Sequence, residues 1–224
     1  MHSPIVIINT KTYPEGTGAK AVLLAQLCEN AAKASGFDIR LAVQATDITA
    51  VTKMVDLPVY AQHCDAVVPG KTTGWITAAS LKAAGARGSL LNHAERRLNT
   101  HDVVAAAGAL RKEKLDVIVC AESDARLREL AHALAAAHIT PTAFAIEPPE
   151  LIGGDVSVSV AQPEIVVTAV QAIDAPVLVG AGVRTHADIQ TALELGAAGV
   201  LLAKGVVAAP HQEQALRKLL GLRA

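Results

Sequence analysis

Aromatic residues are nearly absent from this chain of 224 residues: one Trp, two Tyr and two Phe make up 2% of it. Stacking platforms for nucleic-acid bases are therefore not expected, and the core has to be aliphatic. Charge of one sign is not in excess either. Twenty Lys and Arg face 21 Asp and Glu, for a formal net charge of −1. That balance gives no basic footprint for nucleic acid and no polybasic patch for a membrane surface. Only three cysteines occur, Cys28, Cys64 and Cys120. Their odd number and wide spacing argue against a disulfide framework and a C-x-x-C metal or redox pair. They read instead as half-buried thiols in a reducing compartment. Long apolar runs are missing as well. The longest charge-free stretch, Leu130 to Ile146, is broken by two His, two Thr and Pro141, whereas a membrane span needs roughly 20 mainly apolar residues. Ile5 to Ile8 is too short for a signal-peptide core. The expectation is a soluble, cytoplasmic protein.

What is present is hydrophobicity and order. Apolar residues make up 51% of the chain and charged ones 18%, with a mean hydropathy of +0.35. A disordered chain shows the reverse. Short apolar runs alternate with segments of helical period. The runs are Ile5–Asn9, Ile39–Val43, Val59–His63, Ser89–Asn92, Val117–Ala121, Thr142–Ile146, Val177–Val179 and Gly199–Leu202. The periodic segments between and after them are Ala19–Ser35, Asp47–Val55, Thr77–Ala84, Thr100–Lys114, Asp124–Ala137, Pro163–Ile173, Thr185–Leu195 and His211–Leu222. Gly36 reads as the stop of the first helix, Thr100 as the cap of the fourth, and Pro163 suits a first helical turn.

Eight strands and eight helices in strict alternation predict a parallel sheet covered by helices. Strands that are apolar almost throughout fit burial on both faces. At about 28 residues per unit the chain is compact, and no Pro-, Gly- or Ser-rich linker divides it. The predicted fold is a single-domain (β/α)8 barrel over residues 1–224. An open doubly wound sheet would carry its glycine fingerprint after the first strand, where this chain has Asn9-Thr10-Lys11.

Chemistry in such barrels sits at the C-terminal ends of the strands. Those ends carry Asn9 and Lys11 (spaced to share one side of an extended chain), then Asn92-His93-Ala94-Glu95-Arg96-Arg97, then Glu147 with Pro148 to Gly154. Gly180-Ala181-Gly182 and Ala203-Lys204-Gly205 follow. Taken singly, each is an ordinary loop residue. Together they bring a cation, an imidazole and a carboxylate to one mouth, beside glycine-rich loops whose N–H groups can cradle an anion. That set suits proton abstraction next to a carbonyl, with the imidazole and ammonium stabilising the oxygen that gains charge. No metal or cofactor is required. His63 and Cys64 adjoin, but no second pair supports a zinc site.

The motifs Asn9-Thr10-Lys11, Ala61-Gln62-His63, Leu91 to Arg97, Ile146 to Gly153, Gly180 to Gly182 and Gly199 to Ala203 resemble the triosephosphate isomerase family. The short archaeal-type members are the nearest in style. The likeness runs in the family's order over essentially the whole chain. It implies isomerisation of D-glyceraldehyde 3-phosphate and dihydroxyacetone phosphate through an enediolate, in glycolysis and gluconeogenesis. By the same resemblance Glu147 is the base, neutral His93 the electrophile and Lys11 the stabilising cation, with Glu95 supporting the Lys11–His93 cluster. Asn9, Thr10, Lys11, Ile152, Gly153, Gly182, Ala203 and Lys204 bind substrate, and a lid spans about residues 148–155. The Glu/neutral-His pair and lid closure are established features of that family. Residues 65–75 correspond to its interface loop, which implies a homodimer or homotetramer. Trp75 within it reads as helix packing, with an interface anchor as the alternative.

This chain departs from the family pattern in three places: Ala94 stands where Ser is usual, Ile146 where an aromatic is often found, and Lys204 where Ser is common. Lys204 can point at a phosphate or at solvent. Other readings are an isomerase for a related sugar phosphate such as a tetrulose phosphate, a different phosphate-binding barrel, or a noncatalytic binding protein.

Overall fold

The computed structural model describes residues 3–148 and 157–223. Eight parallel strands close into a barrel in sequence order. They are β1 (Ile5–Asn9), β2 (Asp38–Val43), β3 (Val59–Ala61), β4 (Gly88–Leu91), β5 (Asp116–Ala121), β6 (Ala143–Ile146), β7 (Val177–Val179) and β8 (Gly199–Leu202). Closure is made by β1 against β8, with Ile5 opposite Gly199 and Ile8 opposite Leu202.

Strand alternation explains the continuous apolar runs. In β1, Val6 and Ile8 face the outer helices while Ile7 joins the barrel interior with Ala42, Tyr60, Leu90, Ile118, Cys120, Ala143, Ala145, Leu178 and Leu201. Ile and Leu share that interior with three alanines and Cys120, and one large ring, Tyr60, adds the bulk of its lower end. A Cβ on Gly88 would stand 2.7 Å from the Tyr60 ring and 2.5 Å from the Asp116 carbonyl oxygen, so β4 has to begin with glycine.

Outside the barrel lie α1 (Ala19–Ser35), α2 (Ile48–Thr52), α3 (Ala78–Ala83), α4 (Thr100–Lys112) and α5 (Asp124–Ala136). They are followed by α6 (Val158–Ala161), α7 (Pro163–Ala172), α8 (His186–Glu194), α9 (Lys204–Val207) and α10 (Gln212–Leu219). All eight expected helices are present, several shorter than their apolar period suggested. Gly36 ends α1 in the left-handed region at φ +74°, its N–H bonded to the Ala32 carbonyl, as read from sequence. The α4 cap, however, is Asn99 and not Thr100: Asn99 Oδ1 accepts from the Asp102 N–H. Thr100 is the first helical residue, and its hydroxyl accepts from Arg126. Three short elements went unread, a 3-10 turn at Pro14–Gly16, α6 and α9. Segments of three or four residues are too brief to show a period.

All three cysteines are free and fully buried, not half-buried. At the barrel's lower mouth Arg40 pairs with Asp38 at 2.7 Å and donates to the Tyr60 hydroxyl at 2.9 Å. Tyr60 in turn donates to Asp116 at 2.7 Å, which also pairs with Arg87 at 3.1 Å. Burial pushes the Tyr60 hydroxyl well above its usual range, so it stays a donor. This network satisfies polar groups at the end of the barrel away from the candidate site. Among the described residues no helix is long and apolar enough to cross a membrane.

Candidate active site

The C-terminal strand ends converge on a cavity of about 280 Å³ lined by Asn9, Lys11, His93, Glu147, Gly182 and Lys204, among others. Ala203 lines it too. Asn9 and Lys11 reach it, but not as neighbours along an extended strand. β1 stops at Asn9, and Lys11 adopts φ +47°. The Asn9 carboxamide accepts from the Lys11 N–H at 2.9 Å, closing a turn. Gln62 holds the turn from β3, donating to Thr10 Oγ1 at 3.0 Å and to the Lys11 carbonyl at 2.9 Å. Thr10 is buried beneath the turn and does not line the cavity.

Lys11 Nζ pairs with Glu95 Oε1 at 2.6 Å. Glu95 lies on the loop after β4 that also carries His93. Its backbone N–H donates to His93 Nδ1 at 3.2 Å. An imidazole nitrogen that accepts a backbone N–H carries no proton, so the ring's proton sits on Nε2, the nitrogen facing Glu147. His93 is accordingly pushed down to about 4, by burial first and then by the Lys11 charge, against the opposing pull of Glu95. It is neutral at physiological pH.

Glu147 follows β6. Its N–H bonds to the Ala121 carbonyl at 2.8 Å, which fixes it to the end of β5. Its side chain is buried, with Oε1 3.4 Å from His93 Nε2. Oε2 has no hydrogen-bond partner among the described residues. Burial raises the carboxyl from 4.5 to about 8, although the neighbouring Cys120 thiol and Lys11 act in the opposite direction. A poorly solvated carboxylate beside a cation and a neutral imidazole is a strong base held in place.

Gly180 makes this position possible. A Cβ there would lie 2.4 Å from Glu147 Cγ, closer than carbon atoms can approach, so any side chain would move the carboxyl. Gly182, at φ +71°, turns the next residue past the same cavity wall. Ala203 precedes α9, and its carbonyl accepts the N–H groups of Val206 and Val207. Lys204 lines the cavity with an exposed side chain. Arg184 also lines it.

Sequence reading brought Lys11, His93, Glu95 and Glu147 together and missed Gln62, Gly180 and Cys120 as their support. Gln62 stands in the family-like motif Ala61-Gln62-His63, which is the sequence signal that marks it. Ile152, Gly153 and the lid from Pro149 onward lie outside the described residues. Ala94, in the family's serine position, brings no hydroxyl to this cluster. The adjoining His63 and Cys64 both turn to Asp65: His63 Nε2 contacts its carboxylate at 2.8 Å, and Cys64 Sγ donates to its carbonyl at 3.6 Å. Asp65 also accepts from the Ile76 N–H at 2.6 Å and pairs with Arg96 at 3.3 Å, which clasps the base of the 65–76 loop. Trp75 on that loop, expected to pack against a helix, is 54% exposed.

Barrel and mouth define a (β/α)8-barrel enzyme with an acid–base cluster at its strand ends. The triosephosphate isomerase family profile matches residues 4–219. The triosephosphate isomerase of Methanoculleus marisnigri is 44% identical over 99% of this chain and 100% of its own length. Those of Archaeoglobus fulgidus and Methanocaldococcus jannaschii are 44% and 39% identical, covering 97% and 96% of this chain and 97% and 98% of their own. The chain belongs to the triosephosphate isomerase family.

Proposed function

We propose that this protein interconverts D-glyceraldehyde 3-phosphate and dihydroxyacetone phosphate. The observation that carries the reading is the placement of a buried carboxyl, Glu147, 3.4 Å from the protonated nitrogen of a neutral His93, in a cavity that Lys11 also lines. The Glu147 carboxylate takes the proton from the carbon next to the carbonyl. The C–H electron pair becomes the enediolate double bond, and charge moves onto the carbonyl oxygen. His93 Nε2–H and the Lys11 ammonium stabilise that oxygen. The adjacent substrate hydroxyl passes its proton to it by way of His93 Nε2, and Glu147 returns the carbon-derived proton to the former carbonyl carbon as the deprotonated oxygen becomes the new carbonyl. Since proton and electrons return to the substrate, no external acceptor is consumed.

Asn9 orients Lys11 through the turn they share, while Glu95 holds Nζ and supplies the N–H that fixes the imidazole. Thr10 stiffens that turn from below. Gly182, Ala203 and Lys204 receive the phosphate together with Ile152 and Gly153 of the 148–155 lid, which excludes water and suppresses phosphate elimination from the enediolate. The 65–75 loop, with Val68 and Trp75 exposed, is the self-association surface of a homodimer or homotetramer. Residues 1–224 act as one barrel domain in the cytoplasm, in glycolysis and gluconeogenesis.

The test is a coupled assay on purified protein with D-glyceraldehyde 3-phosphate. We expect kcat/KM near the diffusional ceiling, on the order of 10⁸ M⁻¹s⁻¹, and a loss of several orders of magnitude in Glu147→Gln. A slow rate that still depends on Glu147 would indicate a different sugar phosphate, and the four-carbon ketoses would be tried next.

A further inference from the structure

Asn92 belongs to the motif that carries His93, yet nothing in the mechanism above uses it. It is buried, and its backbone is left-handed, with φ +59°. The hydrogen-bonded ladder between β4 and β5 ends at Leu91 opposite Val119. One step on, Asn92 turns its backbone away and continues the contact with its side chain: Nδ2 donates to the Cys120 carbonyl at 2.8 Å. Oδ1 accepts from the Leu98 N–H at 2.8 Å. One carboxamide therefore closes the base of the 92–98 arch and pins that arch to the end of β5.

Both reacting side chains are referenced to that strand end. His93 and the Glu95 N–H that fixes its tautomer ride on the arch, which is tightened by the Arg96 N–H bond to the His93 carbonyl at 2.7 Å. Glu147 is hydrogen-bonded to the Ala121 carbonyl and lies beside the Cys120 thiol. The arch shares no other side-chain hydrogen bond with β5 among the described residues.

We propose that Asn92 is a positioning residue for the isomerisation, setting the distance and angle between His93 and Glu147 by bridging the Cys120 carbonyl to the Leu98 N–H; the inference rests on the isomerase reading. A left-handed residue alone could be glycine. Asparagine tolerates the same backbone and adds a donor and an acceptor on one rigid plane. A misplacement of about 1 Å in a reacting geometry costs on the order of 10²-fold in rate.

The test is steady-state kinetics of Asn92→Gly and Asn92→Asp beside wild type, with inorganic phosphate inhibition as a measure of anion binding. Asn92→Gly keeps the backbone conformation and removes both bridges. We expect kcat to fall about 10²-fold, with KM and the phosphate inhibition constant within about threefold, because the phosphate contacts are elsewhere. Asn92→Asp keeps the Leu98 acceptor but sets an oxygen against the Cys120 carbonyl, and it should lose kcat in the same sense. A folded Asn92→Gly with unimpaired kcat overturns the proposal, as does a parallel loss of kcat and phosphate binding. Should Asn92→Gly not fold, the ratio in Asn92→Asp decides by the same criterion. Wild type measured alongside separates the two claims: an inactive wild type overturns the isomerase reading, whereas an active one with an unimpaired variant overturns only the role of Asn92.

Discussion

A base kept out of water makes the fold weaker where the enzyme works, and Glu147→Gln exposes that conflict. Burial lifts the Glu147 carboxyl from 4.5 to about 8 in the folded protein. Between those values the native state holds a proton that the unfolded chain has released, so stability falls as pH rises through the window. The slope from this one group is about 1.4 kcal/mol per pH unit, which accumulates to on the order of 5 kcal/mol by the upper end. Glutamine has nearly the same shape and no charge at any pH, so the slope disappears in the variant. It also brings an amide into a place where Oε2 has no partner among the described residues, at a pH-independent cost of about 1–3 kcal/mol. The two effects oppose each other and cross. Urea unfolding at pH 5 should find Glu147→Gln equal to or less stable than wild type, and at pH 8.5 more stable by a few kcal/mol. The other titrating groups are common to both proteins and largely cancel in the difference; Cys120, which burial and then the Glu147 charge push well up, stays a thiol across this range. A stability difference that stays constant between pH 5 and 8.5 would refute the burial argument.

The remaining predictions concern rate and scaffold. The acid limb of kcat/KM should rise tenfold per pH unit toward about 8, where Glu147 ionises, with no separate limb from His93, whose pKa of about 4 leaves it neutral throughout; an acid limb centred near 4.5 would contradict this. Gly180→Ala puts a Cβ 2.4 Å from Glu147 Cγ, forcing a shift of about 1 Å and a kcat loss on the order of 10²-fold; kinetics matching wild type would show that the carboxyl has room to spare. Tyr60→Phe leaves Arg40 and Asp116 without the hydroxyl between them. Denaturant unfolding should show a loss of about 1–3 kcal/mol with kcat unchanged, because the network is at the far end of the barrel, and a change in kcat would contradict that separation.

The barrel was legible because each unit is long enough to show its period and each strand is apolar on both faces. Element ends were less so. Val59–His63 reads as one run, but β3 stops at Ala61 because Gln62 turns to hold the 10–11 turn. Lys11 reached the mouth as expected for the wrong reason: a left-handed turn, not strand alternation, aims it. Such turns leave little trace in one sequence, since Asn9 and Lys11 bear no glycine to announce them. The reacting residues were visible by type at strand ends, whereas their supports were not. Gly180 looks like any turn glycine until the Glu147 side chain is seen packed on it, and Cys120 like any core thiol.

The most direct test of the central claim is isomerisation of D-glyceraldehyde 3-phosphate in D2O followed by proton NMR. Transfer through Glu147 predicts rapid formation of dihydroxyacetone phosphate with deuterium partly incorporated at C1, as the carboxyl exchanges its captured proton with solvent, and loss of both conversion and label in Glu147→Gln. Folded wild-type protein that neither converts the substrate nor exchanges its carbon-bound hydrogen, or a Glu147→Gln variant that does so at the wild-type rate, would contradict the account.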